Sequence, residues 1–306
     1  MTIVIASYNH RRYLADAFAA IEMSGVCQRI SLLFIDDGSP DDTMSFVEAY
    51  PFVPDLHVRI LAKKNAGLRD SLASGLAMAD TRFVAFIASD DMYVPEGLAT
   101  VIARLDEVKS DDICWICQAT YLEGRDGEAV YRSSLEAVLS AAPDRRERAL
   151  SIEFPKPLLL QSTVFGTEML REAGAWADGL ALDDWPTFVK VARLARNRDV
   201  IMRAMFDVVL CRYRLHDSGS HNNLGRQLAI CLETAERGVA SQYRREAMAN
   251  VLMDVALIHL YQREMGPAVR LFSRAVVAYP HPNTVARPFV RIISSAIRRM
   301  TGDGTR

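Results

Sequence analysis

No run of about eighteen apolar residues free of charge occurs in this 306-residue chain, so no segment reads as a membrane-spanning helix. No secretory leader is expected at this start: Thr2–Ser7 is short and passes straight into Tyr8-Asn9-His10, without a basic stretch or a cleavage site. Cysteine is scarce and scattered. Cys27, Cys114, Cys117, Cys211 and Cys231 form an odd set with no disulfide framework, and the expectation is a reducing, cytoplasmic setting. Neither sign of charge dominates. With 36 Lys and Arg against 38 Asp and Glu the net charge is −2, which lacks the basic footprint of a nucleic-acid binder. What is present is apolar mass, 50% of the residues, enough for one large α/β domain with a smaller appendage, or for two domains.

Short apolar runs at Ile3–Ala6, Ser31–Ile35, His57–Leu61, Phe83–Ile87 and Ile113–Ala119 read as buried strands. Helical patterns lie between them, at Arg11–Met23, Asp41–Ala49, Leu68–Met78 and Pro95–Val108. Strand and helix in alternation predict βαβ units and a largely parallel sheet. The pattern fades beyond about residue 120, where polar Glu123–Arg148 reads as an excursion or flap. Helix returns at Trp185–Ala195, and beyond about residue 222 the chain reads as all helical, through Leu224–Gly238, Arg244–Arg263, Pro267–Ala278 and Thr284–Met300. Ala268, Phe272, Ala275 and Pro280 fall at the offsets of the second helix of a tetratricopeptide repeat; with no second copy, a helical hairpin packed on the main domain or a partner is expected.

Two acidic pairs follow two of the strands. Asp36-Asp37-Gly38-Ser39 comes after Ser31–Ile35, and Ser89-Asp90-Asp91 after Phe83–Ile87. Carboxylates at the carboxyl ends of parallel strands face the ligand crevice of an open α/β sheet. Each pair also reads as a turn ahead of a helix, but their recurrence at two strand ends favours the crevice. Adjacent carboxylates repel unless a cation lies between them, and Mg2+ or Mn2+ takes carboxylate together with phosphate oxygens.

Six motifs in order, Ser7-Tyr8-Asn9, Asp36-Asp37-Gly38-Ser39, Asn65-Ala66-Gly67, Ser89-Asp90-Asp91, Leu182-Asp183-Asp184-Trp185 and Tyr213-Arg214-Leu215-His216, make residues 1–220 resemble a family 2 glycosyltransferase. The resemblance implies a GT-A, Rossmann-like nucleotide-binding domain over 1–220 with a mostly parallel mixed sheet, followed by an all-helical region over 221–306. It implies an inverting, metal-dependent transfer of a sugar from a nucleotide-diphosphate sugar, most often a UDP-sugar, to a saccharide or lipid-linked acceptor in cell-surface polysaccharide or glycoconjugate synthesis. The roles it implies are residue by residue. Ser7, Tyr8 and Asn9 hold the donor's base, Asp36 and Asp37 its base and ribose, and Asn65, Gly67, Ser89 and Asp90 complete the donor side. Asp91 holds a divalent metal, Mn2+ or Mg2+, with His216 near it and the diphosphate. Asp184 is the catalytic base, and Asp183 and Trp185 face the acceptor, although core packing is an equal reading of Trp185.

The chain departs from the family in two places. Asp183 stands where Glu is frequent, and Ala73 stands where an Asn is common. Cys114 and Cys117, flanking Trp115 and Ile116, read as strand residues rather than as a redox pair. The 284–300 segment interleaves Arg287, Arg291, Arg298 and Arg299 with apolar residues, which suits either packing on its own domain or peripheral contact with the inner face of a cell membrane. Two other functions stand beside the transferase. A sugar-nucleotidyltransferase would need a glycine-rich basic loop after the first strand, which Ser7–Arg12 lacks; a catalytically inactive scaffold of the same fold is opposed by the intact Asp91 and Asp184.

Overall fold

In the computed structural model residues 1–123, 125–153, 158–215, 223–282, 284 and 286 are described. In chain order the elements are β1 (Thr2–Ser7), α1 (Leu14–Glu22), β2 (Ser31–Asp36), α2 (Thr43–Ala49), β3 (His57–Ala62), α3 (Leu68–Met78), β4 (Phe83–Ala88), β5 (Met92–Tyr93), α4 (Pro95–Asp106), β6 (Ile113–Leu122), α5 (Ser133–Leu139), α6 (Pro143–Ile152), β7 (Thr163–Gly166), α7 (Thr167–Glu172), α8 (Trp185–Leu194), β8 (Ile201–Arg214), α9 (Leu224–Arg237), α10 (Ser241–Tyr261) and α11 (Met265–Ala278). The strands form one eight-stranded sheet in the order β3-β2-β1-β4-β7-β6-β8-β5. The β1–β2, β2–β3, β1–β4 and β6–β8 pairs are parallel, and β4–β7, β6–β7 and β5–β8 are antiparallel.

The central residues of β1, β2 and β4 are apolar on both sides because both faces are covered. Ile3 and Ile5 point into a layer with Leu14, Phe18 and Phe34, whereas Val4 and Ala6 point into the opposite layer with Leu33, Leu72 and Leu76. The right-hand half of the sheet depends on close backbone approach. A Cβ added at Gly97 on α4 would lie 1.9 Å from the Val209 carbonyl oxygen, so a side chain there would push α4 off β8.

The mixed sheet agrees with the expected GT-A architecture, but three strands escape sequence reading. β5 and β7 are only two and four residues long. β8 carries Arg203, Asp207, Arg212 and Arg214 among its apolar residues, and its register against β6 slips around Cys117–Ala119, which breaks the two-residue alternation. The polar 123–148 stretch is likewise more than a flap. It contains α5 and most of α6, and buried Glu147 there pairs with Arg193 and Arg196 of the α8 region.

The helices α9 and α10 pack onto the α/β part. Trp185 and Val189 of α8 share an apolar cluster with Cys231, Ala235, Val239, Ala247 and Val251, and the Asn250 side chain donates to the Ile152 carbonyl. α10 and α11 form a hairpin around Leu252, Ala256, Leu271 and Ala275. Among the described residues no helix is long and apolar enough to cross a membrane. His216 and nearly all of the basic 284–300 segment lie outside the described residues.

Candidate active site

Strand β1 is the switch point of the sheet, with β2 and β3 to one side and β4 to the other. Crevices of open α/β sheets form beyond the carboxyl ends of strands at such a point. Here a cavity of about 490 Å³ opens there, lined among others by Ser7, Tyr8, Asp37, Asn65, Gly67, Ser89, Asp90, Asp91 and Arg214. Five of the six motifs thus have members near or in one cleft, although the chain brings them from the ends of different strands.

The carboxylates differ in what they touch. Asp36 does not line the cavity. Its oxygens accept from the backbone N–H of Ser39 at 2.9 Å and from the Ser39 hydroxyl, so it closes its own turn. The same hydroxyl accepts from Asn9 N–H at 2.9 Å, which ties the loop after β1 to the loop after β2. Asn9, with φ +57°, therefore acts on the cleft through the backbone. Between them Gly38 has φ +74°, and a Cβ there would meet the Asn65 amide nitrogen at 2.8 Å.

Asp37 reaches across to the 63–67 loop. Its carboxylate pairs with Lys63, and accepts from Ala66 N–H at 3.0 Å and Gly67 N–H at 2.7 Å. Burial pushes this carboxyl up, but Lys63 and the two amides outweigh burial and hold it below the usual carboxylate value. Lys63 also pairs with Asp70 at 2.9 Å.

Asp91 has the opposite environment. One oxygen accepts from Arg214 N–H at 2.8 Å, while Oδ2 is buried without a hydrogen-bond partner. Burial first, and the neighbouring Asp90 second, raise it well above the carboxylate range. Asp90 is the more open of the two, its side chain 15% exposed, and it lies 3.9 Å from His10 Nδ1. His10 also contacts the Ser89 hydroxyl at 2.9 Å.

Arg214, at the end of β8, is the cleft cation that sequence reasoning left without a role. Besides its backbone bond to Asp91, its Nε donates to the Asp90 carbonyl at 2.9 Å, its guanidinium pairs with Glu123, and it lies over the Tyr13 ring at 4.7 Å. Gln161 and Tyr213 were missed as lining residues too. Ser7 adds a buried hydroxyl with no partner.

Asp183 and Asp184 sit at the start of α8, where the Asp184 carboxylate accepts from Trp185 N–H. Both are partly exposed and outside the lining of the cavity. Desolvation and the like charge of Asp183 push Asp184 up to about 7. The Asp184 charge in turn helps raise the Tyr213 phenol, behind burial and the charges of Asp91 and Asp90, so Tyr213 lies within electrostatic reach of both acid pairs. Trp185 corrects an expectation: it is 2% exposed, donates its indole N–H to the Leu150 carbonyl at 3.0 Å, and belongs to the core under α9 and α10 rather than to an open acceptor face. Cys114 and Cys117 are buried strand residues, and burial pushes the Cys117 thiol up to about 12, which leaves it inert.

A mixed sheet of this order with acids at its strand ends is consistent with a GT-A fold. Residues 2–160 match the sequence model of glycosyl transferase family 2, and the chain belongs to that family. An uncharacterized glycosyltransferase of Rickettsia prowazekii is 20% identical over 238 residues, 74% of this chain and 68% of that one. The succinoglycan biosynthesis protein ExoO of Rhizobium meliloti is 30% identical over 145 residues, 47% of this chain and 39% of that one. Among solved structures, S. aureus TarS 1-349 in complex with UDP-GlcNAc superposes with a TM-score of 0.61 at 16% identity, covering 90% of this chain and 80% of that one. The mannosyltransferase PcManGT from Pyrobaculum calidifontis, in complex with GDP-Man and Mn2+, gives 0.59 at 15% identity, covering 97% and 79%. The chain is a glycosyltransferase.

Proposed function

We propose that the chain moves a sugar from a nucleoside-diphosphate sugar to an acceptor hydroxyl, with inversion and with a divalent metal, in the synthesis of a cell-surface polysaccharide or glycoconjugate. The observation that carries this is the strand-end cleft itself, where two adjacent carboxylates and one guanidinium meet beside an open nucleotide-sized cavity. The relatives support the donor class, since one neighbour was solved with UDP-GlcNAc and another with GDP-Man and Mn2+. The name of ExoO supports the polysaccharide setting.

The residues fit a hard divalent ion. The partnerless Oδ2 of Asp91 and the more open carboxylate of Asp90 would hold it, with phosphate oxygens and water completing its shell. When bound, the ion offsets the charge that grows on the departing diphosphate. The metal role first read for Asp91 and His216 is thereby extended to Asp90, and His216 stays a sequence-based candidate outside the described residues.

Arg214 brings a fixed positive charge to the same side. The free hydroxyl of Ser7 and the exposed ring of Tyr8 suit the nucleoside end. Asp37, already saturated by Lys63 and two amides, shapes that end more than it contacts the base. Asp184 takes the acceptor proton as the new bond from the acceptor oxygen to the anomeric carbon forms and the bond to the diphosphate oxygen breaks. A carboxyl held near neutrality suits a general base at neutral pH. Attack from the face opposite the leaving group inverts the anomeric centre.

A thermal-shift panel of UDP-glucose, UDP-N-acetylglucosamine and GDP-mannose, each with and without Mn2+, tests this function. At least one should stabilise the chain by a few kcal/mol at concentrations well above its Kd, and only with metal. Stabilisation by none, or equally with and without metal, would overturn the donor or the metal part respectively.

A further inference from the structure

We propose that Trp176 is a positioning residue that holds the Asp183-Asp184 pair in register with the donor loop, an inference that rests on the reading of Asp184 as the acceptor base. Trp176 has φ +58°, in the left-handed region, where a bulky aromatic residue is a genuine outlier. Its neighbours in the same connection, Gly174 at +69° and Gly179 at +75°, adopt that region freely because they have no Cβ. Such an outlier persists only where its surroundings over-determine it.

Three contacts do so. The ring is 4% exposed and packs edge-on against Phe86 of β4, centroids 4.8 Å apart. The Trp176 carbonyl accepts from Arg69 Nη1 at 3.0 Å. The indole N–H donates to the Asp183 carbonyl at 3.0 Å, which also accepts from the Thr187 hydroxyl at 2.6 Å. The strained backbone thus aims the indole N–H at the peptide that carries Asp184.

The other end of this tie lies in the donor half. Arg69 is in the first turn of α3, directly after Gly67, whose N–H is bound by Asp37. A continuous path therefore runs from Asp37 through the 65–67 loop, Arg69, Trp176 and Asp183 to Asp184. Phe86 on β4, two residues before Ala88 in the cleft lining, supports the ring from the same side. Neither Trp176 nor Arg69 lines the cavity. A role in burial alone would need the ring but not the indole N–H, and would leave the tie to Arg69 without consequence.

The test uses the full chain and nucleoside diphosphate release from whichever of UDP-glucose, UDP-N-acetylglucosamine or GDP-mannose stabilises it most with Mn2+. W176F keeps an aromatic ring against Phe86 but removes the N–H and part of the indole volume. It should lower kcat at least ~10-fold, since displacement of a reacting group by about 1 Å can cost ~10²-fold, with donor KM within about twofold and only the modest Tm loss of a smaller buried ring. R69Q should lower kcat in the same sense, R69K should restore most of it, and W176F with R69Q should cost less than the product of the two. Unchanged kcat in W176F, or a kcat loss matched by equal losses in KM and Tm, overturns the positioning role. D184N separates the two layers: wild-type turnover in D184N removes the base reading, and the positioning role with it. Lost turnover in D184N beside normal turnover in W176F removes the positioning role alone.

Discussion

Asp37 and Asp91 are both nearly inaccessible carboxylates at strand ends lining the same cleft, yet their surroundings are opposite. Asp37 has a lysine and two backbone amides, and its carboxyl sits below the usual range. Asp91 has the Arg214 amide, the Gln161 side chain, a like charge beside it and a buried Oδ2 with no hydrogen-bond partner, and its carboxyl is driven well above that range. A buried charge that is fully bonded stabilises the loops it joins. One left incompletely bonded is costly to the apoprotein, and gains most from a cation that arrives with the substrate. The same residue type therefore braces two loops at β2 and, in the proposed function, receives a cation at β4.

The strongest contrast should come from a third carboxyl. D184N removes the proposed base and should lower turnover by ~10²–10⁴-fold while leaving metal-dependent donor stabilisation intact, read by kcat beside thermal shift. D91N should do the reverse in binding: the Mn2+-dependent stabilisation by a nucleotide sugar, a few kcal/mol at saturation, should vanish while the apoprotein is as stable or more stable. D37A should lower stability without any metal, by roughly 2–3 kcal/mol in denaturant unfolding. That is less than for a fully enclosed pair, because the cleft admits solvent near Lys63. If D37A left stability unchanged and D91N lowered it sharply, the brace and acceptor roles would be reversed.

The pH profile gives a finer test. Asp184 is active as a base only when ionised, and burial with the like charge of Asp183 raises it, so kcat should rise with pH through an acid limb well above the usual carboxylate range. Because Asp183 raises Asp184 by like charge, D183N should move that limb to lower pH, and a limb that stays put would argue against the pair. The stability linkage has the matching sign. With its folded pKa above the unfolded value of about 4, Asp184 costs the fold stability as pH rises from about 4 to 7, and the cost is constant above that. The smallest effect belongs to Cys114 and Cys117. C117S should leave turnover unchanged whether reductant is present or absent, since the thiol is buried and its pKa high.

The left half of the sheet was legible because its chemistry is local. Each of β1, β2 and β4 is built on a run of at least four apolar residues, and acids stand at the end of β2 and within three residues of the end of β4, so strand and site are read together. The right half was not. β8 mixes charge into a bulged strand, and its contribution to the cleft, the Arg214 N–H on Asp91, spans 123 positions in the chain. Trp185 was divided between acceptor face and core because its exposure is decided by α9 and α10, which lie more than thirty residues further on. Asp36 looked like a ligand because its neighbour Ser39, which takes both its oxygens, is part of the same motif. The left-handed backbone of Trp176 has no signature in residue type at all.

The span of β8 has a consequence for how the protein is made. The acidic wall of the cleft is complete once residue 91 has been synthesised, but the guanidinium that faces it arrives only with residue 214. A growing chain thus passes through a long interval with Asp90 and Asp91 adjacent and the β8 edge of β6 unpaired. Contacts this far apart in sequence form slowly, and open strand edges are what chaperones protect. The 2–160 stretch that carries the family match would, as a separate fragment, have the acids but neither Arg214 nor Asp184. Under the roles proposed for Arg214 and Asp184, competence to transfer sugar waits on the pairing of β8 with β6.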